Sequence, residues 1–461
     1  MHRLLRIGGI CLLATACGGP EAAEGEVEEY VDAGHIRFYF PPDRPVCAGT
    51  PKFLDDMLSR LGDYLGLPLP ERIDYHYHPD PDLSEVCGTA VSYAGCSFPG
   101  EKRVWVRDAT SVHEIVHALA DQDGDHYSFL AEGLATALGD ENIALADYDA
   151  DEATYLTSGT LRPATNVGLA GDLVSHLLVE FGAKRFMDLY ERVSPRATAQ
   201  AFKDEFKVVY GLEFDDVLAQ RRDATSRFKE NRLRFPECSL PVVDWEGDLW
   251  SATNDVDCAT SGIGPSTRLS GRAGTAWLGQ NLEIAEEGVF EITFSGSSGG
   301  AHLYHCDPPY ERWSLTDSWQ PIVEGTGRRS LTYGRLAAGR YAVLSNLEER
   351  HEPASISVTL APSAPSAASC DEQTPLSVPD DVGGLYLLSE PDAPTERTFE
   401  LQSKRAATGL FTDAELCDAQ CGSCGAPPEF EPLTLTPGET YSLRVPAQAY
   451  RQAQGIQLGA P

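Results

Sequence analysis

The sequence predicts a multidomain chain: one α+β domain followed by two β-sandwich modules. Three observations predict it. Helical periodicity alternates with short β-branched or aromatic runs as far as residue 235. After Pro236 glycine and proline become frequent and only short alternating runs remain. Ala361–Ser369 then reads as a linker by composition, with a further β-rich run behind it. A chain of 461 residues accommodates two to four domains, and its 42% hydrophobic content is enough for real cores.

The first residues read as an export signal. Arg3 and Arg6 make a short basic region, and Ile7–Leu13 is apolar but too short to span a bilayer. The run ends in Leu13-Ala14-Thr15-Ala16-Cys17, which resembles a bacterial lipobox. That resemblance implies a signal peptide over 1–16, cleavage before Cys17 and lipidation of Cys17, and so a lipoprotein of the outer membrane, cell surface or periplasm. The alternative is an ordinary signal peptide cut near Ala16. Residues 17–34 are small and acidic and read as a tether.

The α+β domain is assigned to 35–235. His35–Phe40 alternates like a strand, as do Ile73–Tyr77 and Arg103–Val106. Pro51–Leu65 has helical spacing at Phe53, Met57, Leu58, Leu61 and Leu65. Ala170–Arg222 is helical again, with Leu173, Leu177, Leu178 and Phe181 on one face, then Phe186, Leu189 and Tyr190.

The modules are assigned to 236–365 and 366–461. Phe290, Ile292 and Phe294 alternate, as do Tyr341 and Val343, then Ile356, Val358 and Leu360. A weak repeat links them: in Leu336–Val343 and Leu435–Leu443 a glycine turn (Gly339, Gly438) feeds a strand carrying a tyrosine. This resembles the pre-peptidase C-terminal modules found behind secreted proteases.

There are twelve cysteines. Cys11 leaves with the signal and Cys17 takes the lipid. An even set remains, which in an exported chain reads as disulfides, with Cys87 and Cys96 a local pair. Cys417, Cys421 and Cys424 have spacing that could bind zinc, but export favours disulfides there too, with Cys370 completing four. The net charge of -34 excludes nucleic acid as a partner, since nothing would neutralise phosphates.

His113-Glu114-Ile115-Val116-His117 carries the chemistry. Two histidines four apart on a helix are offset by about 40° around its axis, so both imidazoles can face one ion. Glu114 projects beside that ion, where it can take a proton from bound water. Ser111 is placed to cap the helix, and Val112, Val116 and Ala120 form the apolar stripe that buries it. A third ligand is needed, and His126 and Glu132 are the candidates.

Phe129–Thr136 around Glu132 resembles the second helix of the gluzincin metallopeptidases, peptidase-MA-like proteins in particular, and the helical tail 170–222 resembles theirs. The resemblance covers most of 35–225. It implies a zincin-like domain and one zinc ion per chain on His113, His117 and Glu132. It also implies Glu114 as general base and a protein or peptide substrate. Gly133 and Ala135 would let the second helix pack close to the first. Family members often carry a tyrosine shortly before the helix that starts here near Gly171, whereas Leu161–Gly168 has none. Tyr155, His126 and His176 are therefore the candidates for transition-state stabiliser.

Three competing readings are weaker. A metzincin needs glycine and histidine where Ala120 and Asp123 stand. Asp121, Asp123, Asp125 and Glu132 have calcium-loop spacing, but His126 occupies the position of the sharp-turn glycine. A second acidic run, Asp147–Glu152, reads as a solvated loop or a calcium site. Two functions follow: a zinc metalloendopeptidase, or a non-catalytic surface-binding lipoprotein whose metal is structural.

Overall fold

The computed structural model describes residues 29–362 apart from 45, 80–82, 88–94, 99, 125, 140–165, 224–237, 239, 267–274, 297–299, 307–322, 327–328 and 348–353. Beyond 362 it describes the strands named below. Tyr155, Asp147–Glu152, Cys17, Cys370 and Cys421 lie outside the described residues. The chain has mixed α and β content in several sheets.

The first sheet contains β1 (Glu29–Ala33), β2 (Ile36–Phe40), β3 (Ile73–Tyr77), β4 (Gly95–Phe98) and β5 (Arg103–Val106), in the order β1-β2-β3-β5-β4. The three central strands are parallel, and β1 and β4 run antiparallel at the edges. Alternation sets the faces: Ile36, Phe38, Ile73, Tyr75, Val104 and Val106 are buried on one side. On that side lies α1 (Thr50–Leu65), burying Phe53, Met57, Leu58, Leu61 and Leu65, the spacing read from sequence. On the other face Tyr39, His76 and Trp105 stack in register, with ring centroids 4.4 and 4.1 Å apart. The tether assigned to 17–34 needs correction at its end. Glu29–Ala33 is a strand, missed because its face is mostly exposed and shows no core alternation.

After the short α2 (Ser84–Cys87) come α3 (His113–Ala120) and α4 (Ser128–Leu138), then α5 (Asn166–Phe181), α6 (Ala183–Arg192), α7 (Ala199–Tyr210) and α8 (Phe214–Asp223). Their apolar faces join the sheet and α1 in one core. None of the described helices is long and apolar enough to cross a membrane.

Two facing sheets enclose a second core. One holds β7 (Ile263–Ser266), β8 (Thr275–Ile284), β10 (Gly300–His305), β11 (Val323–Thr326) and β13 (Gly339–Leu347). The other runs β21-β18-β23-β16-β12-β9-β14-β6. It contains β6 (Trp250–Val256), β9 (Gly288–Gly296), β12 (Arg329–Leu336) and β14 (Ala354–Pro362). It continues with β16 (Gly384–Leu387), β18 (Ala407–Leu410), β21 (Leu433–Leu435) and β23 (Gln454–Gly459). Strands beyond the linker thus extend a sheet begun before it, through the parallel pair β12–β16. A last sheet joins β15 (Thr374–Val378), β17 (Arg397–Ser403), β22 (Thr440–Val445), β19 (Glu415–Cys417) and β20 (Cys424–Gly425). Cys417 and Cys424 are register partners there.

The inner sheet is covered on both faces. Tyr341, Val343 and Leu347 point into the second core, while Ala342 and Leu344 join the first, with Trp277 edge-on to Phe53 of α1 at 5.3 Å. Tyr341–Leu347 is therefore buried throughout, as in strands covered on both sides, although only alternation was read there. A covalent and polar seam closes the junction. Cys47 bonds Cys258, and buried Thr50 both donates to and accepts from the backbone of Gly264 at 2.8 Å. Cys238–Cys306 and the expected Cys87–Cys96 are also bonded. Three disulfides among the described residues point to an oxidising compartment, extracellular or periplasmic.

Candidate metal centre

The motif helix starts at His113, the first motif residue, with Val112 at the N-cap and no side-chain cap. Ser111 does not cap it, contrary to the sequence expectation. Its carbonyl instead accepts from the Tyr75 hydroxyl at 3.0 Å, and Thr110 binds Asp108 through both backbone and hydroxyl. The helix entry is held by the sheet rather than by its own cap. Val112, Val116 and Ala120 are buried as the stripe requires.

α4 brings Glu132 to the two histidines. His113 Nε2 lies 3.5 Å from Glu132 Oε2, and His117 Nε2 lies 3.7 Å from Oε1. One ligand atom from each of the three falls within 4.8 Å of the others. Among the described residues this is the group of histidine, cysteine and acidic side chains able to hold a metal ion. The donor set suits the task. Two imidazole nitrogens and one carboxylate are the ligands of many catalytic zinc sites, whose tetrahedral geometry spaces ligand atoms by about 3.3 Å. The Glu132 side chain keeps 35% of its exposure, so the group opens on one side.

The charges are arranged for a cation. Burial alone would raise the Glu132 carboxyl, but hydrogen bonds from His113 and His117 outweigh it and hold the group well below the usual carboxylate range. Burial opposes charge on His117, yet Asp121 and Glu132 hydrogen bonds dominate and push its pKa well above the usual value. A cation at the same point would take the place of that proton.

Glu114 is buried, 5% exposed, beside the pair. The edge strand β4 passes next to it: a Cβ added at Gly95 would stand 2.8 Å from Glu114 Cγ and 3.0 Å from Oε1. Only a residue without a side chain leaves Glu114 this room.

Two residues of this neighbourhood were not singled out for it in the sequence. Asp121 Oδ2 is 3.2 Å from His117 Nδ1, and the Tyr190 hydroxyl donates to Asp121 Oδ1. Both side chains are buried. The i, i+4 spacing of His117 and Asp121 was a usable signal; Tyr190, 69 residues further on, offered none. The calcium reading of Asp121–Glu132 needs correction for the same reason. Its first acid is turned inward to His117 and Tyr190, and its last faces the histidine pair.

The stabiliser candidates fall in different places. His126 packs on the Tyr190 ring at 4.4 Å. His176 is buried in α5, edge-on to Phe181 at 6.5 Å. Gly133 serves a different neighbour from the one expected. A Cβ there would stand 2.5 Å from Val174 Cγ2 and 2.8 Å from the Ala170 carbonyl, so it lets α4 approach α5 rather than α3.

No family model matches the chain, and no curated protein matches it. Among solved structures, the CUB1-EGF-CUB2 domain of human MASP-1/3 is 9% identical, with a TM-score of 0.14 over 46% of this chain and 100% of that one. A GH2 beta-galacturonidase from Eisenbergiella tayi bound to galacturonate is 10% identical, with a TM-score of 0.16 over 48% of this chain and 39% of that one. Neither likeness is close enough to carry an argument about fold or function.

Proposed function

We propose that the protein is a zinc-dependent metallopeptidase of gluzincin type, exported as a lipoprotein through Cys17. The observation that carries the proposal is the convergence of His113, His117 and Glu132 from two helices, with buried Glu114 beside them. A structural metal site has no need of a second, buried carboxylate at that position, whereas a hydrolase needs a base there.

Zinc held by these three residues would supply Lewis acidity, acidifying a water and polarising the scissile carbonyl. The chain's own groups do the rest. His113, His117 and Glu132 would hold and orient the ion. Glu114 accepts the proton of the attacking water and returns it to the leaving amine. β4 lies at the end of its sheet, with no described strand on its outer side, and Gly95 touches Glu114. An extended peptide added along that edge would lie beside the base. This supports a peptide as substrate.

The test is metal analysis of the purified chain together with cleavage of casein, with and without a chelator. One zinc per chain and chelator-sensitive cleavage that Glu114→Gln abolishes support the proposal. Zinc without cleavage across a broad peptide library overturns it in favour of a binding lipoprotein with a structural metal.

A further inference from the structure

Asp121 stands one turn past His117, at the end of α3, and is 6% exposed. A carboxylate only accepts, and each of its oxygens here has a donor. His117 Nδ1 meets Oδ2 at 3.2 Å, and the Tyr190 hydroxyl meets Oδ1. Tyr190 comes from α6 and is 1% exposed, with the His126 ring against it.

We infer that Tyr190 and Asp121 form a two-link support that fixes the orientation and tautomer of His117, making both positioning residues of the metal centre. The inference rests on the metal-site reading above. Asp121 Oδ2 sits against Nδ1 as an acceptor, so the proton of a neutral His117 imidazole stays on Nδ1, which leaves the lone pair on Nε2, the atom that faces Glu132 Oε1 at 3.7 Å. With both oxygens engaged, the carboxylate cannot rotate without losing both bonds. Removing the Tyr190 hydroxyl frees one oxygen and lets Asp121 turn. Burial, then the charge of Asp121 and its hydrogen bond, push the Tyr190 phenol well above its ordinary range.

This support also gives the helical tail a role at the site. The other buried side chains of α6, Phe186 and Leu189 among them, serve the apolar core. Through the Tyr190 hydroxyl and Asp121 the helix reaches His117, far earlier in the chain.

The experiment uses the full chain with 15N-labelled histidine, zinc-free, with His117→Gln to assign the resonance. At a pH high enough to leave His117 neutral, wild type should show it protonated on Nδ1. Asp121→Asn, whose amide can donate to Nδ1, should move the signal toward the other tautomer. Zinc dissociation constants, measured by competition with a chromophoric chelator, should weaken about 10–100-fold in Asp121→Asn and by less in Tyr190→Phe, with the far-ultraviolet spectrum unchanged. An unaltered tautomer and wild-type zinc affinity in Asp121→Asn overturn the inference and leave a structural tie, and this holds even if Tyr190→Phe fails to fold. A wild-type chain that binds no zinc overturns the metal-site reading instead, while the tautomer measurement, made without metal, still decides the support.

Discussion

Two of the buried polar clusters among the described residues differ in kind. In the β region Asn254 donates to Ser345 at 3.0 Å across the two facing sheets, and His302 meets Asn346 at 3.2 Å on the inner sheet. These partners pair off two by two on the strands that carry them, as buried polar groups must. Around α3 the groups converge on a single point that Glu132 leaves partly open to solvent. Two imidazoles and Glu132 aim their acceptor atoms at that point, and Glu114 lies beside it. Burial of polar atoms therefore does not mark a site. Convergence of lone pairs that repel one another unless something positive sits between them does.

The comparison can be broken or sharpened by substitution. The largest effect belongs to Glu114→Gln, which should lower turnover by about 10²–10⁴-fold while zinc content stays at the wild-type value; loss of the metal along with the activity would mean that Glu114 is a ligand. Next comes a double dissociation. Glu132→Ala should release the metal and cost the zinc-free chain only the stability its pairing with His113 and His117 supplies. Asn254→Ala should cost about 1–3 kcal/mol of stability and leave zinc affinity alone. If both substitutions moved both readouts alike, the clusters would not differ as described. Gly95→Ala should act more gently still: the new methyl meets Glu114 Cγ at 2.8 Å, so turnover falls while zinc binding persists, read by paired activity and metal assays.

The smallest effect is a pH dependence. In the zinc-free chain Glu132 has a lowered pKa, so its contribution to stability is present above its unfolded value near 4.5 and fades as pH falls through the lower folded value. His117 has a raised pKa, so its contribution is full below about 6.5 and is lost as pH rises through the folded value. The zinc-free chain should gain most from this pair between those limits. Zinc affinity should drop as acid restores the proton on His117, which metal titrations across pH would show. A zinc affinity flat with pH would argue against His117 as a ligand.

Much of the frame was legible in the sequence, and the omissions have physical causes. α1, β3, β5 and the motif helix follow from apolar spacing because each has one buried face, and periodicity reports faces directly. Glu132 was legible through its neighbours in Phe129–Thr136 rather than through spacing, since any acid within reach could have served. Tyr190 was not, because a bond between elements so far apart in the chain leaves no local pattern, whereas Asp121 left only its i, i+4 spacing to His117. Gly133 was recognised as a close-approach glycine but assigned the wrong partner, because a missing side chain announces proximity without naming the neighbour. The break in texture at residue 236 was plain, whereas the packing across it was not: Phe53 and Trp277 are each ordinary core aromatics until they meet.

That meeting has a consequence for inheritance. The inner sheet lends one face to each core, and the Cys47–Cys258 bond stitches the start of α1 to the loop before β7. A β region built this way is not a cassette that recombination can attach behind an unrelated protease, nor can the helical half be cut free without wetting Phe53 and its neighbours. A change at Phe53 or Cys47 is felt directly by Trp277 or Cys258, so each half constrains the residues the other can carry.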